Sequence, residues 1–173
     1  MIQIQKVTPD EAAQLLAFSK KTFHHFFAPI NNPVSIEAYS AKAFTLQKIK
    51  SELANPDSEF YFAMSDDDIA GYIKLNFGEA QTEFKDNNTA EIERIYVAEE
   101  HHGKHIGRQL LNFAAAKAES RHLHSIWLGV WEYNTKAIGF YEHHGFKIFS
   151  SHEFWLGDER QTDLLMRKTL RLG

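Results

Sequence analysis

The chain has 173 residues, 43% of them hydrophobic and 24% charged, with a formal net charge of −4 when histidine is counted neutral; that is an ordinary globular balance, long enough for one core. It contains no cysteine, which excludes a disulfide scaffold, a thiolate metal site and any acyl-cysteine intermediate. The acidic balance argues against a general nucleic-acid binder, and no run of about 18 apolar residues marks a membrane span.

Ile2 to Val7 alternates like a short strand. Thr8-Pro9-Asp10-Glu11 combines a capping box with proline at the first helical position, so a helix follows, burying Leu15, Leu16, Phe18 and Phe23. The N-terminus therefore reads as strand and capped helix, without the apolar run and cleavage site of a signal peptide. With cysteine absent, a reducing, cytoplasmic compartment is expected. Phe23-His24-His25-Phe26-Phe27 ends the helix in an aromatic patch, and Asn31-Asn32-Pro33 breaks the chain. Ser35 to Phe44 and Thr45 to Ala54 read as two short helices, closed by Asn55-Pro56-Asp57.

Glu59 to Met64 and Ile69 to Phe77 are strands of a hairpin, with Ser65-Asp66-Asp67-Asp68 as the turn. Gly78 to Asn88 is a polar loop. Ala90 to Val97 alternates again. Ile106 to Ala118 is a helix whose apolar face carries Ile106, Leu110, Leu111, Ala114 and Ala118. A strand from His124 to Val130, a helix from Asn134 to His144, and strands at Phe146 to Phe149 and Thr162 to Met166 complete the order. With no repeat or linker, residues 1–173 are expected to form a single domain, an α/β sheet covered by helices.

The stretch from Glu91 to Phe146 carries the chemistry. A strand ends at Val97, a His/Gly/Lys loop follows, and a helix begins near His105. Such a loop offers unpaired N–H groups at the positive end of a helix dipole, an anion site to which Lys104 and Arg108 add charge. It is neither a Walker loop nor a dinucleotide fingerprint, and residues alone leave a plain strand-to-helix connection as the alternative. His101, His102 and His105 lack a carboxylate or cysteine set at ligand spacing, so no metal is expected. The acidic residues Glu79, Glu83, Asp86, Glu91 and Glu93 outnumber Lys85 and Arg94 and are expected to line a groove for a cation.

Val97-x4-His102-Gly-Lys-His105-Ile-Gly107-Arg108-x-Leu-Leu resembles the pyrophosphate loop of the GCN5-related N-acetyltransferases, whose pattern is Gln/Arg-x-x-Gly-x-Gly/Ala. Asn134-x-x-Ala137-x-x-Phe140-Tyr141-x-x-x-Gly145-Phe146 resembles a second hallmark of that superfamily. The segments around Ile92 to Tyr96, Ile126 to Glu132, Gly157 to Asp163 and the Tyr39-x4-Phe44 helix are similar to bacterial Pai-type spermidine/spermine acetyltransferases. His102 departs from the usual glutamine and His105 from the frequent glycine. At His105 the backbone must either tolerate a Cβ in the glycine conformation or already be helical.

The resemblance implies a GNAT fold, a mixed and mostly antiparallel sheet flanked by helices. It implies direct acetyl transfer from acetyl-CoA to a primary amine, with a polyamine as first choice of acceptor. A protein N-terminus, a lysine or an antibiotic is the alternative acceptor, and a non-catalytic CoA-binding sensor or interaction domain the alternative class. Neither nucleic acid nor membrane is an expected partner, and a homodimer is left open. Ile95, Tyr96 and Val97 would pair with the pantetheine arm. His102, Gly103, Lys104, His105, Ile106, Gly107 and Arg108 would hold the pyrophosphate. Asn134 would bond the cofactor arm, and Tyr141 would donate a proton to the leaving thiolate. Glu93 would take the amine's proton through a water, with Glu91 as second candidate on the same strand face. Each has a plainer reading: Tyr141 as a core aromatic, the two glutamates as solvated residues, Asn134 as a helix cap, Trp127 and Trp131 as packing. Asp158, Glu159 and Asp163 can be read as a solvated hairpin.

Overall fold

The structure, a computed structural model, describes residues 1–171. Its strands are β1 (Ile2–Lys6), β2 (Ser58–Ser65), β3 (Asp68–Phe77), β4 (Thr89–Val97), β5 (Ser125–Trp131), β6 (Lys147–Leu156) and β7 (Glu159–Thr169). The helices are α1 (Ala12–Phe27), α2 (Pro33–Ala43), α3 (Leu46–Ala54), α4 (Ile106–Ser120) and α5 (Thr135–His143). The strands form one sheet in the order β1-β2-β3-β4-β5-β7-β6, parallel only between β4 and β5. This is the expected mixed, mostly antiparallel sheet.

Local chemistry sets the element ends. Glu11 accepts from the Thr8 N–H at 2.8 Å and from the Thr8 hydroxyl at 3.1 Å. Pro9–Glu11 forms a 3-10 turn before α1 begins. Asn32 caps α2 and Thr45 caps α3 through their side chains. Leu15, Phe18 and Phe23 are buried as expected, while Leu16 is half-buried.

Two differences from the sequence reading lie at the C-terminal hairpin. β6 and β7 run 10 and 11 residues, well beyond the short strands expected at Phe146 to Phe149 and Thr162 to Met166. The turn between them depends on Gly157 at φ 63, whose Cα faces Ser35 of α2 so closely that a Cβ would lie 2.6 Å from the Ser35 Cα. Only glycine permits both that φ and that approach. The hairpin tip is therefore seated on α2.

The sheet has two packed faces. Ile73, Leu75, Ala90, Ile92, Ile126 and Leu128 meet Leu110, Ala114 and Tyr141 of α4 and α5. Phe60, Phe62 and Tyr72 meet Leu15 and Phe18 of α1 and Ile49 of α3 on the other. Phe23, Ile36, Phe44 and Leu156 join α1 and α2 to β6 in a third cluster.

Candidate active site

β4 and β5 pair only from Thr89↔Ser125 to Ile92↔Leu128, although β4 continues to Val97 and β5 to Trp131. Beyond Ile92 the strands part. The β5-facing backbone edge of β4 from Glu93 onward is left without a strand partner, while its other edge remains paired with β3 through Val97. The chain leaves β4 for α4 and β5 for α5 at this same end. Such a point, where parallel strands diverge outside their carboxyl ends, is where open α/β sheets form crevices. A cleft of about 600 Å³ occupies it, lined from one side by Tyr141, Ala137 and Asn134 and from the other by Glu91, Glu93, Arg94, Tyr39 and Asp163.

On the α4 side, the backbone N–H groups of Gly103, Lys104, His105, Ile106, Gly107 and Arg108 have no backbone acceptor among the described residues. The His102 N–H closes on the Glu99 carbonyl, and the first helical bond runs from Gln109 to His105. Unpaired N–H groups at a helix start form an anion site. Gly103 supplies φ 81 with open space around it. His105 itself adopts the left-handed conformation at φ 59 and ψ 23, so the backbone tolerates a Cβ rather than being helical there. Gly107 packs α4 against α5, since a Cβ would sit 3.3 Å from the Phe140 ring. Lys104 and Arg108 are exposed beside the loop. The His102 Nε2 lies 2.9 Å from the Val97 carbonyl, a bond that only a ring N–H can make. His102 thus binds the β4 edge from inside the loop.

Asn134 caps α5, its side-chain oxygen accepting from the Ala137 N–H at 3.2 Å, so the plainer reading of Asn134 holds; its residue also lines the cleft. Tyr141 is buried and lines the cleft, its hydroxyl without a hydrogen-bond partner among the described residues. Burial pushes the phenol well above its ordinary value.

The carboxylates are arranged unlike a simple alternation. A β-bulge opposite Lys74 and Leu75 interrupts β4 between Ile92 and Arg94. Glu93 is the extra residue, and it shares Lys74 with its neighbours. The Lys74 ammonium lies 2.5 Å from Glu93 and 2.5 Å from Glu52, while Arg94 lies 3.2 Å from Glu52 and 3.6 Å from Glu93. Burial works to raise the Glu52 carboxyl, but Arg94 and Lys74 outweigh it and hold it below the usual range. The four charges cancel, and Glu93 already serves two cations. This speaks against Glu93 as the proton acceptor.

Glu91 is buried and free of cations among the described residues; it accepts from Asn76 at 3.0 Å, from the Thr82 N–H at 2.8 Å and from the Thr82 hydroxyl at 2.6 Å. Burial raises its carboxyl above the ordinary range, against the pull of those bonds. Asp163 lies on β7 opposite Trp131, and a Cβ on Gly129 would meet its Oδ2 at 3.4 Å. The carboxylate thus stands in contact range of Gly129, beside the parted edge of β5. Burial raises Asp163 as well, partly offset by His152.

Of the acidic groove expected from the sequence, only Glu91 and Glu93 line the cleft. Glu79 faces Lys85 at 3.8 Å, and Asp86 accepts from the Asn88 N–H. Glu83 turns to His152 at 2.5 Å. Asp163 and His152 are the residues that sequence reasoning undervalued. Their signal was present in the Gly157 turn, which fixes them as cross-strand partners. Trp127 and Trp131 both line the cleft; Trp127 is buried and donates to Gln81, whereas the Trp131 indole N–H is unpartnered among the described residues.

The profile of the acetyltransferase (GNAT) family matches residues 21–146. The chain belongs to the GNAT family. An uncharacterised N-acetyltransferase of Lactobacillus delbrueckii is 39% identical over 169 residues, 98% of either chain. A spermidine N(1)-acetyltransferase of Thermoplasma acidophilum is 25% identical over 85% of this chain and 89% of its own. The solved structure of a PaiA N-acetyltransferase from the same organism, in complex with coenzyme A, superposes with a TM-score of 0.78 at 24% identity, covering 98% of this chain and 99% of that one. As a GNAT protein the chain is an acetyl-CoA-dependent N-acetyltransferase, as its two sequence blocks implied. The Pai-type likeness is a distant one.

Proposed function

We propose that the protein transfers the acetyl group of acetyl-CoA directly to a primary amine of a polyamine such as spermidine or spermine. The observation that carries the acceptor class is the cleft's charge. Once the Glu52, Lys74, Glu93 and Arg94 charges cancel, the buried or half-buried carboxylates Glu91 and Asp163 outnumber the one further lining cation, the exposed Lys48, among aromatic walls that include Tyr39, Phe27 and Trp131. Carboxylates and aromatic faces together favour an elongated cation. The relative named as a spermidine acetyltransferase supports the same reading.

The residues present fit acetyl-CoA. The N–H groups of residues 103 to 108, with Lys104 and Arg108, suit its pyrophosphate, and the β4 edge without a strand partner from Glu93 onward, bonded by His102 only at the Val97 carbonyl, suits its amide arm. Asn134, which caps α5 and lines the cleft, is the proposed hydrogen-bond partner of that arm. When bound, the thioester supplies an activated acetyl group. With no cysteine in the chain, the amine attacks it directly.

Tyr141 is the proposed proton donor at the departing sulfur. In water a phenol is the weaker acid than an alkyl thiol by ~1.5 pKa units, about 2 kcal/mol. Burial of Tyr141 widens that gap, but a thiolate formed in the same apolar surroundings is destabilised too. The acceptor carries the opposite burden. An amine of pKa ~10.4 must lose a proton at a cost of roughly 4 to 5 kcal/mol at neutral pH.

The test is thiol release with spermidine, spermine and a monoamine of similar length. Polyamines should show the higher kcat/KM, and added salt should shrink the difference. Equal values that stay flat with salt would remove the polyamine assignment.

A further inference from the structure

We propose that Asp163, His152 and Glu83 form a proton exit from the acceptor cleft, with Asp163 as the group that takes the proton of the acceptor ammonium. The proposal rests on the acetyltransferase reading above and adds the path by which the amine becomes a nucleophile.

Three observations place the path. Asp163 lies on β7 directly opposite Trp131 at the parted end of β5, and it lines the cleft. Its Oδ2 lies 3.2 Å from His152 Nε2, and the other ring nitrogen, Nδ1, lies 2.5 Å from Glu83. His152 also lines the cleft and keeps about a quarter of its side chain (27%) in solvent, so the imidazole spans from site to water. Asp163 and His152 are directly opposed on β7 and β6, so the sheet fixes their contact.

The other charged or titratable groups of the cleft are Glu91, Glu93, Arg94 and Tyr96 on β4, Tyr39 on α2, the exposed Lys48 on α3, and Tyr133 and Tyr141 at α5. Arg94 and Glu93 are engaged with each other and with Glu52 and Lys74. Glu91 already accepts three hydrogen bonds. Asp163 is left as the cleft carboxylate that has an onward partner able to take a proton.

The step balances simply. An ammonium N–H bond breaks, its electron pair stays on nitrogen, and the proton passes to Asp163. Asp163 hands it to Nε2 of the neutral imidazole. The imidazolium is then held between two carboxylates, Asp163 at Nε2 and Glu83 close to Nδ1. The ring later releases one proton to water and is neutral again. No electrons are transferred, and no further reactant is needed.

The experiment compares wild type with His152→Gln and Asp163→Asn in single-turnover acetyl transfer at saturating amine, across pH 6 to 9. Each variant should lose about ten-fold to a hundred-fold in rate near pH 7, within the usual scale for an acid–base group. KM for the amine should move far less in His152→Gln than the rate does. Added imidazole should restore part of the lost rate of His152→Gln, which a merely structural role would not allow. Circular dichroism and chemical denaturation identify a variant that fails to fold; Glu83→Gln, farther from the cleft, then serves in its place with a smaller loss. A His152→Gln enzyme with the wild-type rate and pH profile, or one changed only in KM, overturns the exit path. The amine is spermidine first, then a panel of primary amines. A wild type active only on another amine overturns the polyamine reading alone, and the path is then measured with that amine.

Discussion

The Lys74 ammonium stands 2.5 Å from Glu93 Oε2, and the same nitrogen stands 2.5 Å from Glu52. One buried cation thus joins the bulge of β4 to helix α3. Glu93→Gln removes one of two anions facing Lys74 and Arg94, which are nearly excluded from solvent. Breaking a buried pair from one side is costly, so a loss of about 3 kcal/mol is expected in urea unfolding. The single-turnover rate should fall by less than it does in Asp163→Asn. A stable but inactive Glu93→Gln would return the base to Glu93.

Tyr141→Phe removes a hydroxyl that has no partner in the protein among the described residues. Folding stability should therefore hold or rise slightly. The single-turnover rate should drop by about ten-fold to a thousand-fold with acetyl-CoA affinity little changed. An unchanged single-turnover rate would show that the thiolate leaves without this phenol.

His105 pays for a left-handed backbone with a β-carbon present. A residue with a side chain loses roughly 1 to 2 kcal/mol there, and glycine returns part of the gain through its freer unfolded chain. His105→Gly should raise stability by up to about 1 kcal/mol, read as a higher midpoint in urea, with CoA binding retained. A loss of stability would mean that the imidazole makes a contact that outweighs the strain.

Asp163 gives a pH signature. Burial, against the weaker pull of His152, raises its carboxyl above the ordinary value of ~3.9. A group with a raised folded value contributes stability that is present below the unfolded value and lost as pH climbs through the folded one. Relative to Asp163→Asn, the wild type should lose stability as pH rises from about 4 through the weakly acidic range, and the two curves should run parallel at higher pH. Denaturation series on both proteins at several pH values would reveal it. The reverse slope would mean that His152, as imidazolium, holds Asp163 ionised.

How much of this was legible depended on whether neighbours in sequence were neighbours in space. The loop from His102 to Arg108 and the Asn134 cap declare themselves locally, through glycine, a helix start and a short polar side chain. The long β6 did not. Ser150, Ser151, His152 and Glu153 show no apolar alternation because this edge strand is largely exposed, and a register shift after Ile148 breaks what period remains. A two-residue period puts the two glutamates of β4 on one face, with Glu93 ranked ahead of Glu91. The bulge makes them unlike, pairing Glu93 with Lys74 and leaving Glu91 to Thr82 and Asn76. Asp163 could not be ranked above Asp158 or Glu159 without knowing that it pairs opposite Trp131, far away in sequence, where β5 parts from β4.

β7 follows β6 in the chain but lies between β5 and β6 in the sheet. During synthesis, β5 and β6 must therefore wait with unsatisfied edges until β7 emerges and slides between them. The acidic wall of the cleft cannot exist on a partly made chain, and the nascent protein carries a vacant strand position until then. An unfilled strand position of this kind leaves backbone edges unpaired until residues 159–169 have been made.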